Sequence, residues 1–138
     1  MKQFKILLVE DEEMLQAMYS QKFFRSGCKV ISAYNGEEGL ELANTESPDL
    51  ILLDVLMPKM NGFSALRELK ANKATKDIPV IMLTNLQQGS EAQMGLDLGA
   101  EEYLVKTSYT PKQIVTKCME LLQQFQSIPS KVLLKQGT

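Results

Sequence analysis

The chain has 138 residues, 44% hydrophobic and 23% charged, with a formal net charge of −2 and no histidine. That length suits one domain able to bury a core without metal or disulfide staples, and the composition is that of an ordinary globular protein. A slightly acidic balance speaks against direct nucleic-acid binding, which needs a basic surface, and the lack of histidine excludes Ser-His-Asp and Cys-His catalysis, His-ligated zinc and phosphohistidine chemistry on this chain. No apolar run approaches membrane-spanning length, and "MKQFKILLVEDEE" lacks a signal-peptide layout. No membrane insertion and a cytoplasmic location are therefore expected. Cys28 and Cys118 lie far apart without metal-like spacing; reduced core thiols are expected, with a disulfide as the alternative.

Apolar runs and helical periods alternate along the chain with little filler. "FKILLV" (Phe4–Val9) has the length of a buried strand. In "EEMLQAMYSQKFFRSG", Met14, Leu15, Met18, Tyr19 and Phe23 recur at helical spacing, and Gly27 suits a C-terminal cap. "CKVISA" reads as a second strand and "NGEEGLELANTE" as a short helix carrying Leu40 and Ala43. "DLILLD" is the third strand, and beyond Gly62 the residues Phe63, Leu66 and Leu69 mark a third helix. "IPVIMLT" is the fourth strand, "SEAQMGLDLG" a weakly amphipathic fourth helix and "EEYLVK" the fifth strand. Pro111 opens a fifth helix with Ile114, Val115, Cys118, Leu121, Leu122 and Phe125 in a continuous stripe. Residues 1–126 thus read as one domain, and 127–138, "SIPSKVLLKQGT", as a C-terminal tail expected to be flexible.

Five strands alternating with five helices imply an α/β fold, a doubly wound parallel sheet covered on both faces. Near-continuous strand hydrophobicity, rather than strict alternation, agrees with that reading. Ligands of such sheets bind outside the carboxyl ends of the strands, where strand order reverses. The residues at those ends are Glu10, Asp11 and Glu12 after the first strand, Asp54 after the third, Thr84 and Asn85 after the fourth and Lys106 after the fifth.

Carboxylates sharing one cleft raise each other's pKa unless a cation neutralises them. A hard divalent ion such as Mg²⁺ does so with one or two carboxylates, keeping other positions for water or phosphate. An Asp carboxylate can itself act as a nucleophile towards phosphorus. Phosphoryl transfer then needs mainly positioning and charge neutralisation, for which Lys106 offers a point charge and Thr84 a hydroxyl. Taken singly, each residue has a plainer reading. The acids of 10–13 suit a helix first turn, Lys106 a surface position, Tyr103 and Thr84 ordinary strand places, and Met57-Pro58 a turn.

The acid pair after the first strand, "DVLMPKMNG" after the third, "LT" ending the fourth and "EYLVK" in the fifth together resemble a response-regulator receiver domain, over about residues 4 to 126. The resemblance implies a flavodoxin-like sheet in the order 2-1-3-4-5. It implies Asp54 as phosphoacceptor, Asp11 as a direct Mg²⁺ ligand, Glu10 as a ligand through water and the Leu56 backbone carbonyl as a further ligand. Lys106, Thr84 and the backbone N–H of Asn85 would contact the phosphoryl group, and Tyr103 would change rotamer with Thr84 on activation. It further implies a histidine kinase or histidine phosphotransfer protein as donor, and a downstream protein reading the face of the fourth helix, fifth strand and fifth helix. Two positions depart from the usual pattern. Thr107 stands where proline commonly follows the active-site lysine, so a trans Lys106–Thr107 bond is expected. Asn85 stands where a small residue is usual. The alternatives are a degenerate receiver acting only as a binding module and an Mg²⁺-dependent phosphatase of the haloacid-dehalogenase type. The latter needs a second Asp two residues after its nucleophile, where this chain has Leu56.

Overall fold

The computed structural model describes residues 3–85 and 89–127. Along the chain run β1 (Lys5–Val9), α1 (Glu13–Arg25), β2 (Lys29–Ala33), α2 (Gly36–Glu46), β3 (Leu50–Leu53), α3 (Gly62–Ala71), β4 (Val80–Thr84), α4 (Gly89–Asp97), β5 (Glu102–Val105) and α5 (Pro111–Ser127), with one 3₁₀ turn at Lys106–Ser108. The strands form a single parallel sheet in the order β2-β1-β3-β4-β5. Fold class and strand order are as the sequence implied. Residues 128–138, most of the expected tail, lie outside the described residues.

The sheet is buried on both sides because successive strand residues face opposite ways. Ile6, Leu8, Leu50, Leu52, Ile81, Leu83 and Leu104 point to one face, where Tyr19 and Phe23 of α1 and Ile114, Cys118 and Leu122 of α5 cover them. Leu7, Val9, Ile51, Leu53, Val80 and Met82 point to the other, beneath Ala43 of α2 and Ala65, Leu66 and Leu69 of α3. Each fully buried Leu or Ile contributes about 1.5–3 kcal/mol relative to exposure. This two-sided demand is what made the strands read as unbroken apolar runs.

Two residues depart from the expected helix stripes. Met14 is 86% exposed, and Phe125 lies half out at 37%. On α1 the inner line runs through Gln16, Tyr19 and Phe23, with steps of three and four, and Met14 falls on the opposite side. Cys28 and Cys118 are buried free thiols. Burial pushes Cys118 up to about 12, which keeps it protonated and inert.

The reversal of strand order lies between β1 and β3, and it opens a crevice at their carboxyl ends. The loop after β3 reaches α3 by a turn in which Lys59 takes φ +70°. Gly62 brings the helix start back against the strand: its N–H donates to the carbonyl of Val55 at 2.8 Å. A Cβ at Gly62 would collide with the carbonyl of Asp54 and lie 2.8 Å from the Val55 Cα. Asn61 caps α3, its Oδ1 accepting the Ser64 N–H at 3.0 Å.

Candidate functional site

The carboxyl ends of β1, β3, β4 and β5 bring Glu10, Asp54, Thr84 and Lys106 to one edge. The carboxylates of Glu10, Asp11 and Asp54 each place an oxygen within 4.8 Å of the others. Glu10 and Asp54 are buried, at 2% and 7% exposure, while Asp11 is half-buried. Asp54 is fixed by its strand: its N–H donates to the Val9 carbonyl at 3.0 Å, and its Oδ1 accepts the Val55 N–H at 2.8 Å. The Glu10 N–H donates to Ala33 at 3.0 Å, and its Oε2 accepts the Glu12 N–H at 3.1 Å.

Lys106 supplies the opposing charge. Its Nζ lies 2.7 Å from Glu10 Oε1 and 3.5 Å from Asp54 Oδ2. The shorter contact is a charge-assisted hydrogen bond; the longer is at the limit of one. Those two carboxylates hold the ammonium above the usual lysine range despite burial, which by itself lowers it. Asp54 is pushed up to about 7, first by burial and then by the charge of Glu10; Lys106 and the Val55 N–H offset only part of this. One ammonium among three carboxylates leaves an excess of negative charge at this partly buried edge.

That donor set is all hard oxygen, clustered tightly enough for a single small divalent cation, and it carries the charge deficit such an ion would fill. Leu56, two residues after Asp54, turns its side chain to solvent, 58% exposed.

Thr84 ends β4 fully buried, and Asn85 beyond it is exposed. Thr84 pairs with Val105, and Met82 with Tyr103. Thr84 and Tyr103 are therefore diagonal neighbours on one face of the sheet. The Tyr103 ring lies under α4, its Cδ2 3.1 Å from where a Cβ on Gly95 would stand. Its hydroxyl is already buried, with no hydrogen-bond partner among the described residues. Lys106 opens the 3₁₀ turn, and no cis peptide occurs among the described residues, so the Lys106–Thr107 bond is trans as expected. The turn ends on a reciprocal cap of α5. The Thr110 N–H donates to Gln113 Oε1 at 2.8 Å, and the Gln113 N–H donates to Thr110 Oγ1 at 3.1 Å.

Sequence reasoning missed Gln16, whose side-chain amide reaches the carbonyls of Leu8, Glu10 and Ala33 beneath the acids. The available signal was its place three residues before Tyr19 and seven before Phe23, a polar residue on the buried line.

The family profile described as the response regulator receiver domain matches residues 6–118. Among curated proteins, the chain is 38% identical over 120 residues to the alkaline phosphatase synthesis transcriptional regulatory protein PhoP of Bacillus subtilis, covering 87% of this chain and 49% of that one. It is 34% identical over 125 residues to the DNA-binding dual master transcriptional regulator RpaA of Synechocystis, covering 91% and 52%. The chain thus spans about half the length of these relatives. Among solved structures, the Francisella response regulator 1452 receiver domain superposes with a TM-score of 0.81 at 29% identity, covering 88% of this chain and 98% of that one. The chemotaxis protein CheY4 of Vibrio cholerae superposes with a TM-score of 0.80 at 29% identity, covering 86% and 98%. Since RpaA is described as DNA-binding, the expectation of no nucleic-acid contact, drawn from net charge, finds no support among the relatives.

Proposed function

Because the chain belongs to the response regulator receiver family, we propose that it accepts a phosphoryl group on Asp54 and converts the added charge into a change of its protein-binding surface. The observation that carries this reading is the convergence of Glu10, Asp11, Asp54 and Lys106 on one buried edge. In the transfer, an Asp54 carboxylate oxygen bonds to the phosphorus of a phosphohistidine on a histidine kinase or phosphotransfer protein. The P–N bond breaks, and its electron pair stays with the departing imidazole. Asp11 and Asp54, with Glu10 through water and the Leu56 carbonyl, would hold Mg²⁺. When bound, that ion neutralises the acids and the phosphoryl oxygens.

The chain's own residues do the rest. Val55 holds one Asp54 oxygen by its N–H, which orients the other. Lys106 would meet a phosphoryl oxygen as a point charge. The Thr84 hydroxyl and the Asn85 N–H donate to others. The phosphatase alternative lacks its second acid, because Leu56 stands in that place. A degenerate binding module would not need all four charged groups at one edge.

The relatives are transcriptional regulators about twice as long as this chain. The downstream partner would read the α4, β5 and α5 face, adjacent to Tyr103. The test is mass spectrometry of the intact chain with a small acyl-phosphate donor. A gain of one phosphoryl group should require Mg²⁺ and vanish in Asp54→Asn. Full labelling of that variant, or labelling in excess EDTA, would overturn the assignment.

A further inference from the structure

Of the buried residues on α1, Gln16 alone carries an amide, and it is 2% exposed. Its Nε2 donates to the carbonyls of Leu8 and Ala33, both at 2.8 Å, and makes a longer 3.2 Å contact with the carbonyl of Glu10. An amide nitrogen has two N–H donors, so the third contact shares a proton with one of the others. The position explains the arrangement. The β1–β2 ladder ends at the Val9–Ala33 pair, and the Glu10 N–H makes one last bond, to Ala33. Beyond it the two strands part, one towards α1 and the other towards α2. The Glu10 carbonyl lies past that last bond, and Gln16 reaches it from α1 together with the Leu8 and Ala33 carbonyls at the end of the ladder.

The Glu10 carbonyl belongs to the peptide that joins Glu10 to Asp11, two of the three clustered acids. Rotation of that peptide plane would swing Asp11 relative to Glu10 and Asp54. The plane is held at its carbonyl by Gln16, while Glu10 is held at its N–H by Ala33 and at its carboxylate by Glu12 and Lys106. Gln16 also carries a cost: its Oε1 is buried without a hydrogen-bond partner among the described residues. An apolar side chain of the same length would avoid that cost, so packing alone does not account for an amide here.

We propose that Gln16 is a positioning residue for the cation site, holding the Glu10–Asp11 peptide so that the acids converge before any ion arrives. The inference rests on the reading of Glu10, Asp11 and Asp54 as an Mg²⁺ site. Gln16→Met keeps length and shape and removes the donors. Isothermal titration of the full chain with Mg²⁺, paired with thermal melting in EDTA, separates positioning from mere stability. The Mg²⁺ dissociation constant of Gln16→Met should rise about tenfold or more, as loss of a residue orienting metal ligands commonly causes, with a melting temperature in EDTA close to the parent's. Met14→Ala, on the exposed side of the same helix, should bind as the parent does. A lowered melting temperature with an unchanged dissociation constant would assign Gln16 a structural role only and overturn the proposal. If Gln16→Met does not fold, Gln16→Asn is the substitute. It keeps the amide but is one methylene short of spanning the carbonyls, and its affinity should fall likewise; parent-like affinity would overturn the proposal. Absence of Mg²⁺ binding by the parent chain would instead overturn the cation site, and this inference with it.

Discussion

Asp54 is the residue on which the physics of the site turns, because burial and the Glu10 charge raise it from 3.8 to about 7. Between those values the folded metal-free chain holds more protons than the unfolded one. Stability therefore falls as pH rises through that window and levels off above it. Asp54→Asn removes the titration. In EDTA its melting temperature should match the parent's near pH 5 and exceed it near pH 8, by on the order of 2 kcal/mol of stability. Melting curves at the two pH values decide the matter: an equal difference at both would mean Asp54 is not the strained group. Asp11 and Glu12 offer a second contrast. Only Asp11 belongs to the acid cluster, while Glu12 is exposed and precedes α1 as its N-cap residue. Asp11→Ala should weaken Mg²⁺ binding by roughly tenfold or more and Glu12→Ala hardly at all. Equal effects in a calorimetric titration would place the wrong acid in the site.

At the scale of elements, the loop between β3 and α3 sets where Asp54 points. Lys59 sits at φ +70°, a conformation that costs a non-glycine residue energy. Lys59→Gly should relieve it and stabilise the chain by up to about 1 kcal/mol, less what glycine's unfolded freedom takes back. Gly62→Ala should do the reverse, because its Cβ has no room against the Asp54 carbonyl. The helix start would have to move away from the strand, at a cost of about 2 kcal/mol or more. Chemical denaturation of the two variants checks both signs, and a stable Gly62→Ala would show that the loop yields cheaply. The stretch "KMNG" was legible as irregular chain, since no helix or strand favours it. The positive φ at Lys59 was not legible, because a lysine gives no local signal for it.

At the scale of the whole molecule, the question is how charge added at Asp54 reaches a surface. Thr84 and Tyr103 share one sheet face as diagonal neighbours, and Gly95 lets α4 lie directly on the Tyr103 ring. A phosphoryl group adds about −1.5 to −2 charge beside Thr84. Under the proposed function it would bias an equilibrium between arrangements by binding one of them better. With its hydroxyl already buried and unpartnered among the described residues, Tyr103 has a hydrogen bond to gain from rearrangement. Thr84→Ala should still accept phosphate, while losing the coupling to α4 and β5. Amide chemical shifts of residues 91–106, with and without a beryllofluoride mimic, should move by more than half less in this variant, taking a coupling of about 1 kcal/mol or more. Shifts equal to the parent's would show that the route does not pass through this pair.

What the sequence determined by itself was the alternation of strands and helices, the parallel sheet and the identity of the acids and the lysine. All of these follow from local properties: apolar runs of strand length, helical periods, and charged residues where an apolar run stops. Chain order and the crevice rule for α/β sheets then sufficed to gather Glu10, Asp11, Asp54 and Lys106. The tertiary structure alone decided how they are joined. Lys106 bonds Glu10 at 2.7 Å and only approaches Asp54 at 3.5 Å, an outcome set by side chains from strands far apart in sequence. It also decided that Met14 faces water while Gln16 turns inward, although a hydrophobicity pattern ranks them the other way. Gln16 is buried because its amide meets three carbonyls at the place where two strands part. That geometry exists only once the sheet has formed.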